Sequence, residues 1–177
     1  MTRKLRIYEI NARTYSSRFD LINGEELRKL AGLGFNTLWL LGAWRITDGA
    51  KKISKIVNLD FDGSPFAIGR YEFSPELGGQ SAYLRFLDAA HSAGLKVLLD
   101  FIPNHLALDS PWIDEDAQFF IRSNPGVRQQ DPGEFFLHKS GELVAFGRDP
   151  YFPPWRDTAQ LDYSYPGLRS RMIQTLK

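Results

Sequence analysis

The sequence contains no cysteine, so it forms neither disulfide bonds nor thiolate metal sites. It also lacks a continuous apolar stretch near the roughly 20 residues that a membrane-spanning helix needs. The first residues lead directly into a short strand-like segment, without the apolar core and cleavage site of a signal peptide. We therefore expect no membrane partner and a cytoplasmic location.

A block of one charge sign is also absent. The 22 basic and 21 acidic residues are spread along the chain, so no basic patch is available to neutralise phosphates, and nucleic acid is not an expected partner. No G-x-G-x-x-G or G-K-[ST] loop follows an apolar run, which argues against a doubly wound nucleotide-binding fold. With 43% hydrophobic residues in 177, the chain is expected to be globular, with one domain.

Strand-like and helix-like segments alternate along the chain. Residues 5–10 mix apolar and polar residues, whereas residues 35–41 and 95–102 are nearly continuous apolar runs, typical of strands buried on both faces. Helices are predicted between these strands and after Pro166 from capping signals and apolar spacing. The residues that carry these predictions are Asn23, Glu26, Leu27, Leu30, Ala31, Leu84, Phe86, Leu87, Ala90, Gly94, Leu168, Met172 and Leu176. This order predicts an α/β fold with parallel strands.

The segments that follow the second and third strands are several tens of residues long. Such loops commonly carry function, and in a barrel they lie at the carboxyl ends of the strands. The densest polar group there is in "LLDFIPNHLA", which places Asp100, Asn104 and His105 near one strand end. These side chains can bind sugar hydroxyls, assist proton transfer or ligate a metal, or they can simply cap the strand.

Several of these segments together resemble the alpha-amylase family of glycoside hydrolases. "DFIPNH" matches the family's motif after the third barrel strand, "LAGLGFNTLWLL" its first helix end and second strand, and "GRDPYFPPWRDTAQLDYSYPGLR" a stretch before the fourth strand in some bacterial members. The resemblance implies a partial (β/α)₈ TIM barrel, roughly the first three β/α units with long βα loops. Residues 1–177 would then be an incomplete domain that requires the remainder of the barrel.

The resemblance also implies roles for the polar trio. His105 would hydrogen-bond the glucosyl unit at the cleavage point, and Asn104 would shape the site or contribute to a calcium position. Asp100 would orient neighbouring catalytic groups without being the nucleophile; the alternative is a buried carboxylate held by backbone donors. No cofactor is expected to be required, and calcium is possible.

Two residues depart from the family pattern. Phe66 stands where a tyrosine commonly stacks on the sugar ring, so the apolar face is kept and the hydroxyl is lost. Arg70 stands where aspartate is frequent. Aromatic residues in the proline-rich loop could line the site or pack a lid, namely Tyr151, Phe152 and Trp155. His91 and His138 form no recognisable ligand pair and are interpreted as structural.

The family's nucleophile and acid/base follow the fourth and fifth strands, which lie beyond Lys177. Asp157 and Asp162 come too early in the pattern to replace them. We therefore expect a fragment of a retaining glycoside hydrolase acting on alpha-glucans or malto-oligosaccharides, inactive when expressed alone. The alternatives are an alpha-glucan transglycosylase and a non-catalytic carbohydrate-binding or scaffold protein.

Overall fold

A computed structural model describes residues 4–57, 62–123 and 133–177. Their contacts divide the chain into two compact units. The first comprises the described residues up to Arg45 together with Glu72–Phe101, and the second comprises Ile46–Tyr71 and Ile102–Lys177. Among the helices of these described ranges, none has the length and apolar character needed to span a membrane.

The described residues form strands and helices in alternation. The strands are β1 (Ile7–Asn11), β2 (Thr37–Leu41), β3 (Trp44–Ile46), β4 (Ile68–Phe73), β5 (Lys96–Leu99), β6 (His105–Ala107), β7 (Arg122–Ser123), β8 (Phe135–Leu137), β9 (Leu143–Gly147) and β10 (Trp155–Gln160). The α-helices are α1 (Ala12–Tyr15), α2 (Gly24–Gly32), α3 (Asp48–Val57), α4 (Gly79–Ser92), α5 (Trp112–Glu115) and α6 (Pro166–Thr175).

The first unit is built on a parallel sheet with the strand order β1-β2-β5. As predicted, α2 begins after Asn23, whose side chain accepts hydrogen bonds from the backbone N–H groups of Glu25 and Glu26. Helices α2 and α4 cover one face of this sheet with a core that includes Leu27, Leu38 and Phe86. The predicted β, α, β order is therefore observed, with strands somewhat shorter than the apolar runs.

The opposite face of the parallel sheet is less covered. Side chains alternate between the two faces of a strand, and Ile7, Trp39 and Leu98 expose 40%, 38% and 43% of their surface. These three residues define what we call the open sheet face. The expectation that residues 35–41 are buried on both faces is wrong for Trp39, because this side of the strand is partly open to solvent there.

The second unit contains the long segment that follows β5. Strands β6, β10, β9 and β7 form an antiparallel sheet in that order, and β8 also pairs with β9. Helix α3 packs against β10. Strands β3 and β4 form a separate two-stranded sheet. The sequence had predicted the length of this segment, but not that it folds into a sheet of its own.

Two predicted helix faces differ in detail. In α6, Leu168 and Met172 are buried as expected, but Leu176 lies one residue past the helix end and is 63% exposed. In α4, Phe86 and Ala90 are buried, whereas Leu84 is 47% exposed. Leu84 lies two residues from Phe86, a spacing that turns it about 200° away around the helix.

Candidate functional site

Asp100 follows β5 in the first unit, where it is buried and accepts hydrogen bonds on both carboxylate oxygens and on its backbone carbonyl. Its carboxylate accepts a hydrogen bond from the indole Nε1 of Trp39 at 2.7 Å and one from the backbone N–H of Gly42 at 2.7 Å. Its backbone carbonyl accepts a third, from Trp44 Nε1, at 2.8 Å. Gly42 has a φ of 72°, a conformation that favours glycine. These contacts fix the carboxylate at the end of β2 as well as β5.

Asn104 lies in the second unit, just before β6, and its side chain is held by a group of hydrogen bonds. Its Nδ2 donates to the backbone carbonyl of Arg148 at 3.1 Å, and its Oδ1 accepts from Gln160 Nε2 at 3.1 Å. Gln160 Nε2 also donates to the backbone carbonyl of Asn104 at 2.9 Å, and Gln160 Oε1 accepts from the Arg148 N–H at 3.0 Å. The segment before β6 is thereby fastened to β10 and to the end of β9.

His105 is the first residue of β6 and is 92% buried, since only 8% of its surface is exposed. Asn104 Nδ2 lies 3.1 Å from His105 Nδ1. An amide nitrogen can only donate, so Nδ1 accepts and the neutral ring carries its proton on Nε2. Burial lowers the pKa of His105 from 6.5 to about 4, and a hydrogen bond with the backbone of Phe66 partly opposes this shift. The imidazole is therefore uncharged at neutral pH.

The aromatic residues of the predicted site differ in their contacts and exposure. The edge of the Trp155 indole meets the His105 ring at a centroid distance of 5.1 Å and an interplanar angle of 63°. Phe66, whose backbone contacts His105, leaves 42% of its surface exposed. Tyr151 and Phe152 are 87% and 68% exposed, and Asp149 Oδ1 accepts the backbone N–H groups of both. Trp155 thus packs inside the unit, whereas Tyr151 and Phe152 present their rings to solvent.

Arg70, which departs from the family pattern, has an ion-pair partner in the structure. Arg70 forms a two-pronged ion pair with the carboxylate of Glu115, and its guanidinium Nη1 lies 3.4 Å from Glu115 Oε2. Such paired N–H donors match the two oxygens of a carboxylate. The positive charge at this position therefore joins β4 to α5.

The other residues named from the sequence make contacts within their own parts of the chain. His138 Nδ1 lies 3.0 Å from Ser140 Oγ within a turn, and its Nε2 lies 3.6 Å from Asp114. Asp162 Oδ1 accepts from the N–H and the hydroxyl of Ser164, just before α6. Burial raises the pKa of Asp157, which lies in β10. His91 lies in the last turn of α4.

The donors around Asn104 bear on whether a metal ion could bind there. In the three described ranges, no group of three or more His, Asp or Glu side chains could hold a metal ion. Both oxygens of Asn104 already accept hydrogen bonds from Gln160 Nε2. N–H donors repel a cation, so the donor set in this arrangement does not fit calcium. Calcium binding by Asn104 stays a prediction.

The structure brings three of the four sequence-predicted site residues together. Asn104, His105 and Phe66 are joined by direct contacts in the second unit, whereas Asp100 belongs to the first. Sequence reasoning missed Gln160, because a single glutamine near the end of a predicted loop carries no distinctive spacing. It also missed Asp109, which accepts the Gly49 N–H at 2.9 Å and the Thr47 hydroxyl at the start of α3.

No family model matches the sequence. The chain is 31% identical over 124 residues to Maltase A1 of Drosophila melanogaster, an alignment that covers 69% of this chain and 18% of the maltase. It is 36% identical over 96 residues to an alpha-1,4-glucan:maltose-1-phosphate maltosyltransferase of Cereibacter sphaeroides, covering 50% of this chain and 16% of that protein.

Among solved structures, the chain is similar to an alpha-amylase from Lactobacillus plantarum. The TM-score is 0.71 and the identity 28%, and the match covers 97% of this chain and 35% of the alpha-amylase. The chain thus spans about a third of this structure's length and a smaller share of the two curated relatives.

Proposed function

Because this chain belongs to the alpha-amylase family of glycoside hydrolases, we propose that it supplies substrate-binding residues to an enzyme acting on alpha-glucans or malto-oligosaccharides. Its fold is part of the family's (β/α)₈ barrel: parallel β/α units with a long, separately folded loop, and no closed barrel among the described residues. The prediction of fold class is confirmed by this similarity. The reaction and the roles of residues are proposals.

One observation supports the proposed substrate most directly. Phe66 and His105, which the resemblance assigns to sugar binding from distant parts of the sequence, are in contact through the Phe66 backbone. The exposed part of the Phe66 ring can stack on the apolar face of a glucosyl unit. The His105 Nε2–H can donate to a sugar hydroxyl once the Phe66 carbonyl releases it. A flat apolar surface beside a neutral donor suits an uncharged sugar.

The proposed reaction retains the anomeric configuration. It requires two carboxylates about 5 Å apart, one attacking the anomeric carbon and the other donating and then removing a proton. We propose that both are supplied by polypeptide outside residues 1–177, after the fourth and fifth barrel strands. Asp100 would be a positioning residue, since its buried carboxylate is held by Trp39 and Gly42 at the ends of two strands.

The remainder of the barrel is the proposed partner of the open sheet face. Exposed Trp39 and Leu98 are costly in water, and burying such side chains contributes about 25 cal/mol per Å² of apolar surface. In the alpha-amylase of Lactobacillus plantarum, the matched region is 35% of the chain. Further barrel strands would cover this face in the complete domain, of which residues 1–177 form one part.

Product analysis tests the proposed activity. The intact protein, meaning residues 1–177 together with the remainder of the barrel, is incubated with maltoheptaose. The products are separated by length while the anomeric configuration is followed by proton NMR. Shorter oligosaccharides released first as the α-anomer support a retaining hydrolase. Release of the β-anomer, or no cleavage of any α-glucosidic substrate, contradicts the proposal.

A transglycosylase is the second candidate, and the similarity to a named maltosyltransferase favours it. The same incubation distinguishes the two, because transfer to a second maltoheptaose produces chains longer than the substrate. A non-catalytic binding protein would bind the oligosaccharide without changing its length. The departures at Phe66 and Arg70 favour this third candidate, but the Arg70–Glu115 ion pair accounts for Arg70 without it.

A further inference from the structure

The carboxamide groups of Asn104 and Gln160 form a closed set of hydrogen bonds. Gln160 Nε2 uses both of its protons on Asn104, one on the backbone carbonyl and one on Oδ1. Asn104 Nδ2 uses its two protons on the Arg148 carbonyl and on His105 Nδ1. Each amide proton has an acceptor, so the two side chains are fully satisfied by protein groups.

Backbone groups fix the orientation of both amides. The Arg148 N–H requires an acceptor, so the Gln160 atom that faces it is Oε1. The Asn104 carbonyl requires a donor, so the Gln160 atom that faces it is Nε2. The Arg148 carbonyl likewise selects Nδ2 of Asn104. Rotating either amide by 180° would place two donors or two acceptors face to face, which costs the full desolvation of the groups left unpaired.

This arrangement disfavours a cation at Asn104. Calcium needs six to eight oxygen ligands, whereas each Asn104 oxygen already accepts an N–H from a neutral glutamine, whose partial positive charge opposes a cation on that side. The guanidinium of the neighbouring Arg148 forms an ion pair with Glu134, so the Glu134 carboxylate already has a partner. The resemblance and the donor set therefore disagree.

We propose that Gln160 takes the structural place of the ion and fastens the segment before His105 to β9 and β10 without metal. Gln160 is a positioning residue for Asn104, and through Asn104 it holds the His105 ring. The inference does not depend on the proposed activity, because it concerns stability and metal binding. Its failure would leave the glucan proposal intact.

Thermal unfolding of the intact protein in EDTA and in millimolar calcium tests the proposal. We expect the wild type and Asn104→Ala to respond equally to calcium, whatever sites exist elsewhere. Gln160→Leu removes the hydrogen bonds at similar size and should lower the melting temperature by several degrees in EDTA. Gln174→Leu, an exposed glutamine in α6, is the matched control and should change it little.

Gln160→Glu gives a second readout that a general packing defect would not produce. A carboxylate facing the two Asn104 oxygens is repelled in EDTA, and it also supplies the charge that a cation needs. We expect a lower melting temperature in EDTA and a partial recovery in calcium that exceeds the wild-type response. A calcium-induced rise in the wild type that Asn104→Ala abolishes would overturn the proposal. So would a Gln160→Leu protein that melts at the wild-type temperature.

Discussion

The carboxylate of Asp100 accepts the indole N–H of Trp39 at 2.7 Å across two neighbouring parallel strands. Side chains that alternate along β2 and β5 bring both residues to the same side of the sheet. The second carboxylate oxygen accepts the Gly42 N–H just beyond β2. Asp100 therefore ties the ends of two strands together, which is the geometry of a supporting residue.

Asp100→Asn should destabilise the first unit, because one of two donors, Trp39 Nε1 or the Gly42 N–H, would then face an amide NH₂. Leaving a buried donor unpaired costs about 1–3 kcal/mol. Urea unfolding of the intact protein, followed by circular dichroism, measures the loss. Trp39→Phe substitutes a smaller ring and removes one donor, but Trp39 is 38% exposed, so water can replace that donor and the effect should be smaller. Equal stability of Asp100→Asn and wild type would contradict the assigned contacts.

Stability should depend on the ionisation of His105. Its pKa is about 4 in the folded protein, below the ordinary value of 6.5, so the unfolded chain binds the proton first as pH falls. The stabilisation that comes from the lowered pKa of His105 is complete above pH 6.5. It declines as pH is lowered from about 6.5 to 4 and then levels off, so the free energy of unfolding falls by an amount on the order of 3 kcal/mol.

The free energy of unfolding of wild type and His105→Gln, measured across this pH range, isolates the effect, since all other titrating groups are common to both. The two curves should converge towards pH 4. A wild-type His105 ring proton resonance that titrates near pH 6.5 would show the prediction to be wrong.

Gly147→Ala should destabilise the second unit. A methyl group on Gly147 would lie 3.0 Å from His105 Cβ and press against the Thr158 hydroxyl. Forcing an extra carbon into such a packed place typically costs about 1–3 kcal/mol. Gly32→Ala is a matched control, because its added methyl meets nothing within 4 Å. The control should be neutral or slightly stabilising, since alanine favours a helix. A Gly147→Ala protein as stable as the control would contradict the close packing of Gly147 against His105 and Thr158.

Replacing Phe66 should weaken sugar binding while leaving the fold intact, because its ring is partly exposed. We expect Phe66→Ala to raise the Kd of the intact protein for maltotriose about tenfold, and Phe66→Tyr to retain or improve binding. Isothermal titration calorimetry measures both. Ile173→Ala, an exposed apolar residue on α6, serves as the control. Unchanged affinity in Phe66→Ala would remove this residue from the site.

The sequence predicted the parallel βα repeats well, because buried strands and capped helices leave local signals such as the Asn23 cap. It could not predict the antiparallel sheet of the second unit, whose strands are short and pair across distant segments. It predicted His105 and Asn104 as site residues by motif resemblance, and their roles stay predictions. It could not find Gln160, since its role arises only when β10 pairs with β6 and places the amide opposite Asn104.

Asp100 is also bracketed by two indoles: Trp39 donates to its side chain and Trp44 to its backbone carbonyl. Indole emission depends on solvent and on nearby charge, and Trp39 lies partly in water on the open sheet face. Two of the four tryptophans of the chain thus report on this end of the sheet. The emission of Trp39 should shift to shorter wavelengths when further polypeptide covers that face, and Trp39→Phe should remove this part of the shift.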